Sequence, residues 1–422
     1  MIDPVSASLQ GPSKRHPEPF RWLRAQIQSV RAGGLRALLR KLWLLVACIP
    51  AVPVVIMVRC ARPLVLIRFG RLISARIGHF AMNTEVWLCK RDVSPPSKRV
   101  YDLFCLSGAV CNRQLLTMWS RVLFISSFVE PLFRVNALLP GAAPHTLHLD
   151  TDWDPEGLLV QVPQHIHFTP EEEERGAREL EEMLGDRSAQ FICFDARDPR
   201  YLTEMYPDTD WRYHDYRDAD IRHCLPAARK LVALGYFAIR MGAKVSSPLP
   251  ETEPGIIDYA TTRRSDFMDI YLCAKCRFFM GSSGLRITPN IFRRPAVFLN
   301  LVPLTHFWGV SPLNLVLPKK YWSRSEQRLL TFREILASDV GKYVRTEQFQ
   351  QAGIKLLENT PDEITAAAME MEQRLNGSWE STEEDEELHQ RFLELFQVLG
   401  WKKTVSARIA AGFLRKHAEL LE

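Results

Sequence analysis

The sequence predicts an α/β protein built on doubly wound parallel sheet, with a membrane-associating helical segment at its N-terminus. Three observations predict it. From 190 to 300, apolar runs alternate with amphipathic stretches in the order strand, helix, strand, strand, helix, strand, helix, strand. That alternation is the mark of crossover units in a parallel sheet. The 422 residues are 46% apolar and 24% charged, which is ordinary for a globular chain with room for two domains. The charge is unevenly placed. Residues 1–41 hold eight Lys/Arg against Asp3 and Glu18, a net +6, whereas the whole chain carries +5 and the remainder therefore −1. The body gives no general case for nucleic-acid binding.

In chain order, residues 1–19 are polar and Pro-rich. Phe20, Leu23, Ile27 and Val30 then share a helical face, with Arg21, Arg24 and Arg31 off it, and Leu35, Leu38, Leu39 and Leu42 resume the stripe after Gly33-Gly34. An uncharged run follows from Leu42 to Val58, at the short limit for a spanning helix and interrupted by Pro50 and Pro53. A basic amphipathic block beside an apolar one suits an anionic bilayer surface, with the apolar part dipping in as a hairpin. The Lys/Arg flank puts this end on the cytoplasmic side, peripheral or monotopic. The plainer alternative is a pair of core helices. These residues, 1–60, form the first segment.

A first α/β domain is expected over 61–168. Leu64 to Ile67 and Tyr101 to Leu106 read as strands, and Gly78-His79 follows the first of them with Asn83 and Glu85 leading into a helix. Residues 145–167 bring His145, His148, His165 and His167 together with Asp150, Asp152 and Asp154. Asp150-Thr151-Asp152 has the Asp-x-Asp form of some metal–nucleotide sites, but Pro155-Glu156-Gly157 after it marks a solvated turn. The nine cysteines are scattered through apolar runs, the pattern of reduced core thiols, and the lone Cys273/Cys276 pair has no second pair at zinc spacing. No metal and no cofactor are expected.

The second domain is expected over 169–345, with C-terminal helices over 346–422. Thr169-Pro170-Glu171-Glu172 is a capping box that opens a helix ending at Gly185. Gln190 to Phe194 is a strand that delivers Asp195 and Arg197. Such an arginine needs an anion, either a bound phosphate or an internal partner such as Asp195 or Asp198. Tyr236 to Ile239 delivers Arg240 and Gly242, and Ile256 to Ala260 carries Asp258. Arg277 to Met280 is a buried strand that breaks at Gly281-Ser282-Ser283-Gly284, with a helix expected from Leu285. A strand-to-helix turn of this kind leaves N–H groups pointing one way, which suits an anion, though capping serines in a plain tight turn would look the same. Strand ends in one parallel sheet would gather Arg197, Arg240, Asp258 and Ser282–Gly284 on one edge.

These residues resemble a bacterial family of glycosyltransferases associated with surface-polysaccharide synthesis. The stretches that carry the likeness are RIGHFAMNTE (76–85), CFDARDPRYL (193–202), IRMG (239–242), IIDYA (256–260), DFMDIYLCAKCRFFMGSSG (266–284), FRRPAVFLN (292–300), KKYWS (319–323) and LTFREI (330–335). More distantly, the second half is similar to the donor half of GT-B enzymes of the fucosyltransferase-like kind. The resemblance implies two Rossmann-like domains of GT-B type and metal-independent transfer from a nucleotide-sugar, a co-substrate, to a lipid-linked or polysaccharide acceptor at the inner-membrane surface. It implies Arg197, Arg240, Gly242, Ser282, Ser283 and Gly284 around the diphosphate and Asp258 near the nucleoside. Gly78 and His79 would face the acceptor, and His79, Glu85 and Asp195 are candidate bases beside Arg197. Asp195 stands where the fucosyltransferase-like pattern has histidine. Rival readings are transfer of glycerol phosphate or pyruvate on the same fold, or a non-catalytic membrane scaffold.

Overall fold

The structure, a computed structural model, describes residues 46–96, 99–149, 153–207, 209–250, 253–398, 400 and 407–422. The basic amphipathic segment and Asp150-Thr151-Asp152 lie outside the described residues. The chain forms two compact units. One takes in residues up to Ala75, Ser94–Cys111 and Trp119–Thr151, and the other Arg76–Val93, Asn112–Met118 and Asp152–Glu422.

The first unit is a four-stranded parallel sheet in the order β3-β2-β1-β4, from β1 (Leu66–Leu72), β2 (Val100–Leu106), β3 (Phe124–Ile125) and β4 (Thr146–Leu147). Arg68 and Asp102, register partners on β1 and β2, form a bidentate pair at 2.7 and 2.9 Å. Residues 46–60 are one continuous helix through Pro50 and Pro53, where the sequence suggests a hairpin. Ala51 and Val55 of that helix pack with Phe69, Cys105 and, from helix Val129–Leu138, Val129 and Val135. Among the described residues no helix is long and apolar enough to cross a membrane.

The second unit is a seven-stranded parallel sheet in the order β14-β10-β9-β8-β5-β6-β7. Its strands are β5 (Phe191–Phe194), β6 (Phe237–Arg240), β7 (Ile256–Ile257), β8 (Phe279–Gly281), β9 (Ala296–Leu301), β10 (Leu315–Pro318) and β14 (Arg408–Ile409). Read from β7 to β10, the chain order is the 3-2-1-4-5-6 of the Rossmann fold, and the order reverses between β5 and β8. Every residue of β5, β8, β9 and β10 is buried. Helices cover both faces of such strands, which is why they read as unbroken apolar runs. A small antiparallel sheet of β11 (Lys320–Ser323), β12 (Arg328–Leu329) and β13 (Ile354–Leu357) belongs to the same unit.

Local chemistry fixes the element ends. Thr169 accepts from the Glu172 N–H at 3.3 Å while Glu172 accepts from the Thr169 N–H at 2.9 Å, so helix Pro170–Leu184 starts on a reciprocal cap and stops at Gly185 with φ 80°. Thr360 and Glu363 repeat the device for helix Pro361–Asn376. The units do not divide at residue 168. Helix Ile77–Val93 packs against the segment after β8, so closely that a Cβ on Gly78 would lie 2.9 Å from the Gly284 carbonyl oxygen. The chain beyond 345 is no separate appendage, because β13 and β14 complete sheets of the second unit.

Candidate functional site

The strand reversal puts the ends of β5 and β8 side by side, and Asp195 and Gly281-Ser282-Ser283 meet there. The Ser282 and Ser283 N–H groups donate to Asp195 Oδ1 at 3.0 and 3.2 Å, and the Ser283 hydroxyl donates to Asp195 Oδ2. A Cβ on residue 281 would fall 2.2 Å from Asp195 Oδ1, so the glycine is what admits the carboxylate. The sequence reads this turn as an anion site, and its anion is internal. Burial pushes the Asp195 carboxyl up, and the serine hydrogen bonds work against that rise. Asp195 is 2% exposed and cannot reach a substrate hydroxyl as placed, which removes it as a base in this arrangement. The helix expected from Leu285 is a 3-10 turn, Gly284–Ile287, capped by the Ser283 hydroxyl accepting from Leu285 N–H at 3.0 Å.

Arg240 ends β6 and is 3% exposed. Its Nη1 lies 3.2 Å from Asp258 Oδ2 and donates to the Ser247 carbonyl at 2.9 Å. Asp258 also accepts from Leu249 N–H at 2.9 Å. A buried guanidinium without a partner is costly, so Arg240 and Asp258 satisfy each other and fix the loop after β6. Neither side chain lines the cavity that Arg197 opens on. Gly242 is in that loop, where a Cβ would press to 2.7 Å from Val245.

Arg197 is placed differently. Its backbone N–H donates to the Ser282 hydroxyl at 2.9 Å, which ties the β5 loop to the serine turn. Its guanidinium points away, to a cavity of about 560 Å³ walled by Arg197, Asp215, Asp218, Lys319 and Glu358 over Tyr216, Phe349, Ile354 and Leu356. Arg197 Nε comes within 3.2 Å of Asp218 Oδ1 but out of line, so both buried atoms lack a hydrogen bond. The two groups form an ion pair without a hydrogen bond, and buried polar atoms left short of one on a cavity wall mark a place for a polar ligand. Burial lowers Arg197 to about 10, with Arg217 adding to the effect. Burial lifts Asp218 to about 6. Lys319 donates to the Tyr216 and Asp218 carbonyls at 3.1 and 2.8 Å, and burial brings it down to about 8. Beside this wall His214 lies tilted against Tyr213, ring centroids 4.1 Å apart, and burial plus Arg217, Arg197, Arg76 and Arg345 hold it neutral to about 2. Arg76 lies 5.7 Å over the Trp211 ring and Arg345 4.5 Å over Tyr213.

Glu85 lies in a separate cluster and is fully buried. Its Oε1 accepts from Arg293 Nη2 at 2.7 Å and pairs with His165 Nδ1 at 3.0 Å, while His165 Nε2 reaches Asp92 at 3.0 Å. Arg293 holds a left-handed φ of 61° and also donates to the carbonyls of Val162, Ile291 and Pro163. These bonds pin helix Ile77–Val93 to two loops, so Glu85 is a clamp and is not exposed as a base. Glu85, Cys89 and His165 bring one ligand atom each within 4.8 Å of one another, the one group among the described residues with metal-holding spacing. The Arg293 guanidinium, 3.6 Å from Cys89 Sγ, already supplies a cation there. His79 lies in the first turn of the same helix, half-buried.

The sequence therefore leads to Arg197 and misses its companions. Asp218 has no signal of its own beside Asp220, two residues on, which caps Arg222 N–H at 2.9 Å. Lys319 belongs to the KKYWS stretch but has no signal of its own. Glu358 follows an ordinary strand.

No family model matches the chain, and no curated protein does. Solved structures that match part of the chain include the glycosyl transferase family 9 protein from Veillonella parvula, at 13% identity over 60% of this chain and 85% of that one, with a TM-score of 0.34. They also include the dodecameric iron-containing heptosyltransferase TibC in complex with ADP-D-beta-D-heptose, at 15% identity over 60% and 61% with a TM-score of 0.30. TibC from enterotoxigenic E. coli matches at 15% over 60% and 62%, with a TM-score of 0.31. At these scores the likeness carries no argument about the site.

Proposed function

We propose that the chain is a glycosyltransferase that moves a sugar from a nucleotide-sugar donor to a lipid-linked or polysaccharide acceptor in surface-polysaccharide synthesis. It would act at the cytoplasmic face of the bacterial inner membrane. The observation that carries the reading is the cavity where Arg197 Nε and Asp218 Oδ1 are buried without hydrogen bonds. The family resemblance of the sequence supports the sugar and the acceptor class. As the glycosidic bond breaks, charge grows on a nucleoside diphosphate. Arg197 and Lys319 are fixed cations beside that charge, and fixed donors lower such a barrier. The Tyr216, Phe349 and Leu356 surface takes a flat base, and Asp218 and Glu358 accept from base or ribose. Asp218, on the cavity wall with Oδ1 short of a hydrogen bond, is better placed to take the acceptor proton than Glu85 or Asp195.

The test is thermal melting with UDP, GDP, ADP and CDP. One nucleotide should raise the midpoint, because a ligand at about a hundred times its Kd adds about 2.7 kcal/mol. Arg197→Ala and Lys319→Met should lose the shift. If no nucleotide moves the wild-type midpoint, the transferase reading fails. A second reading, a non-catalytic membrane scaffold, is favoured by one observation: Asp195 and Asp258 already neutralise the serine turn and Arg240. It expects no shift with any nucleotide.

A further inference from the structure

The helix over 46–60 has no charge before Arg59. A helix apolar on all sides belongs in a core, yet the first unit covers only one stripe of it. Ala51 and Val55 face inward and are 5% and 0% exposed. The opposite stripe is open: Val46, Ile49, Ile56 and Met57 are 64%, 72%, 50% and 68% exposed, and Val52 and Val54 flank them. Positions 46, 49, 53, 56, 57 and 60 recur at the helical period, so this is one face. The open stripe cannot roll inward. Arg59 is tied to Asn136 Oδ1 at 3.1 Å and to the Asn136 carbonyl at 2.8 Å, which locks the helix against its neighbour. The apolar surface continues past the helix end at Leu64, 85% exposed, and at Leu138, at the end of that neighbouring helix, 82% exposed.

We propose that this stripe is a docking face for an anionic lipid bilayer, with the helix lying in the headgroup region. Charge complementarity chooses the occupant: the 41 residues that lead into the helix carry a net +6. Basic charge beside an apolar stripe adds attraction to anionic lipid to the gain from burying the stripe. Depth follows from the prolines. Pro50 and Pro53 have no N–H, so the carbonyls of residues 46 and 49 have no donor four residues on. Such carbonyls need water, which the headgroup layer supplies and the hydrocarbon core does not. The inference rests on the membrane placement alone, so vesicle binding can fail while nucleotide binding succeeds, and the reverse.

The test is flotation of the full chain with vesicles of phosphatidylglycerol and phosphatidylethanolamine, against phosphatidylcholine alone. The wild type should float with the anionic vesicles, and the Ile49→Asp/Met57→Asp double variant should partition roughly tenfold less at an unchanged melting midpoint. Both substitutions fall on solvent-exposed positions. Should the variant misfold, a polarity-sensitive label on the exposed Cys60 of the wild type must shift to the blue with anionic vesicles. Equal flotation of variant and wild type, a wild type that does not float, or a label that stays in water each overturns the proposal. So does a stripe-dependent dimer in solution, because a second copy would then be the occupant.

Discussion

Glu85→Gln removes the buried charge at the centre of this cluster, and the structure sets the size of the effect. Glu85 is the partner of both Arg293 and His165, at 2.7 and 3.0 Å. Burial works against a charged His165, but hydrogen bonds with Cys89, Glu85 and Asp92 and the Glu85 charge lift it from 6.5 to about 10. A rise of that extent corresponds to at most about 5 kcal/mol. Breaking one side of a buried pair typically costs about 3–5 kcal/mol. The expected loss is therefore about 3–4 kcal/mol near pH 6. The pH dependence has a definite sign. Folded His165 holds its proton more tightly than the unfolded chain does. Its contribution is full below about pH 6.5 and fades as the pH climbs to about 10. Urea denaturation of wild type and variant near pH 6, 8 and 10 measures both effects. The wild type should weaken steadily across that range. The variant should start lower and decline less, because its imidazole has lost both the hydrogen bond to the Glu85 carboxylate and that charge. Equal stability near pH 6, or a wild-type profile flat on the alkaline side, would show that the cluster is not the clamp derived above.

Other outcomes follow from the same structure. Asp195→Ala should cost about 2–3 kcal/mol by orphaning the Ser282 and Ser283 N–H groups, and inorganic phosphate should raise the variant's melting midpoint more than the wild type's. Nucleotide affinity should fall above about pH 8 as Lys319 loses its proton, and calorimetric titration across that range should show the fall disappear in Lys319→Met. Gly176→Ala would put a Cβ 2.1 Å from the Tyr271 ring. Overpacking of that kind costs about 1–3 kcal/mol, readable as a drop in melting midpoint without change in nucleotide binding.

The family resemblance and the periodicity of the sequence carry different weights in this chain. The parallel sheet over 190–300, the capped helix at Thr169, and the meeting of residues 195–197 with 282–283 were legible in the chain. Each depends on short-range pattern or on strand ends that the crossover rule must collect on one edge. The pairing of charges was not legible. Arg197 and Arg240 look alike in sequence, one after each of two neighbouring strands. Yet Arg240 closes on Asp258, eighteen positions on, while Arg197 opens on a cavity whose other walls come from residues 215–218, 319 and 358. Glu85 reads as a free acid at the start of a helix and becomes a buried clamp because Arg293, 208 positions away, reaches it.

By itself the sequence determined the strands of the parallel sheet over 190–300, the capped helix start at Thr169 and where polar groups stand relative to those strand ends, because these depend on near neighbours and on the alternation of apolar residues. Only the tertiary structure decided which charge meets which, because a buried ion takes whatever partner the fold carries to it. That choice makes Asp195 the anion of the serine turn and leaves Arg197 and Asp218 short of a hydrogen bond in the cavity.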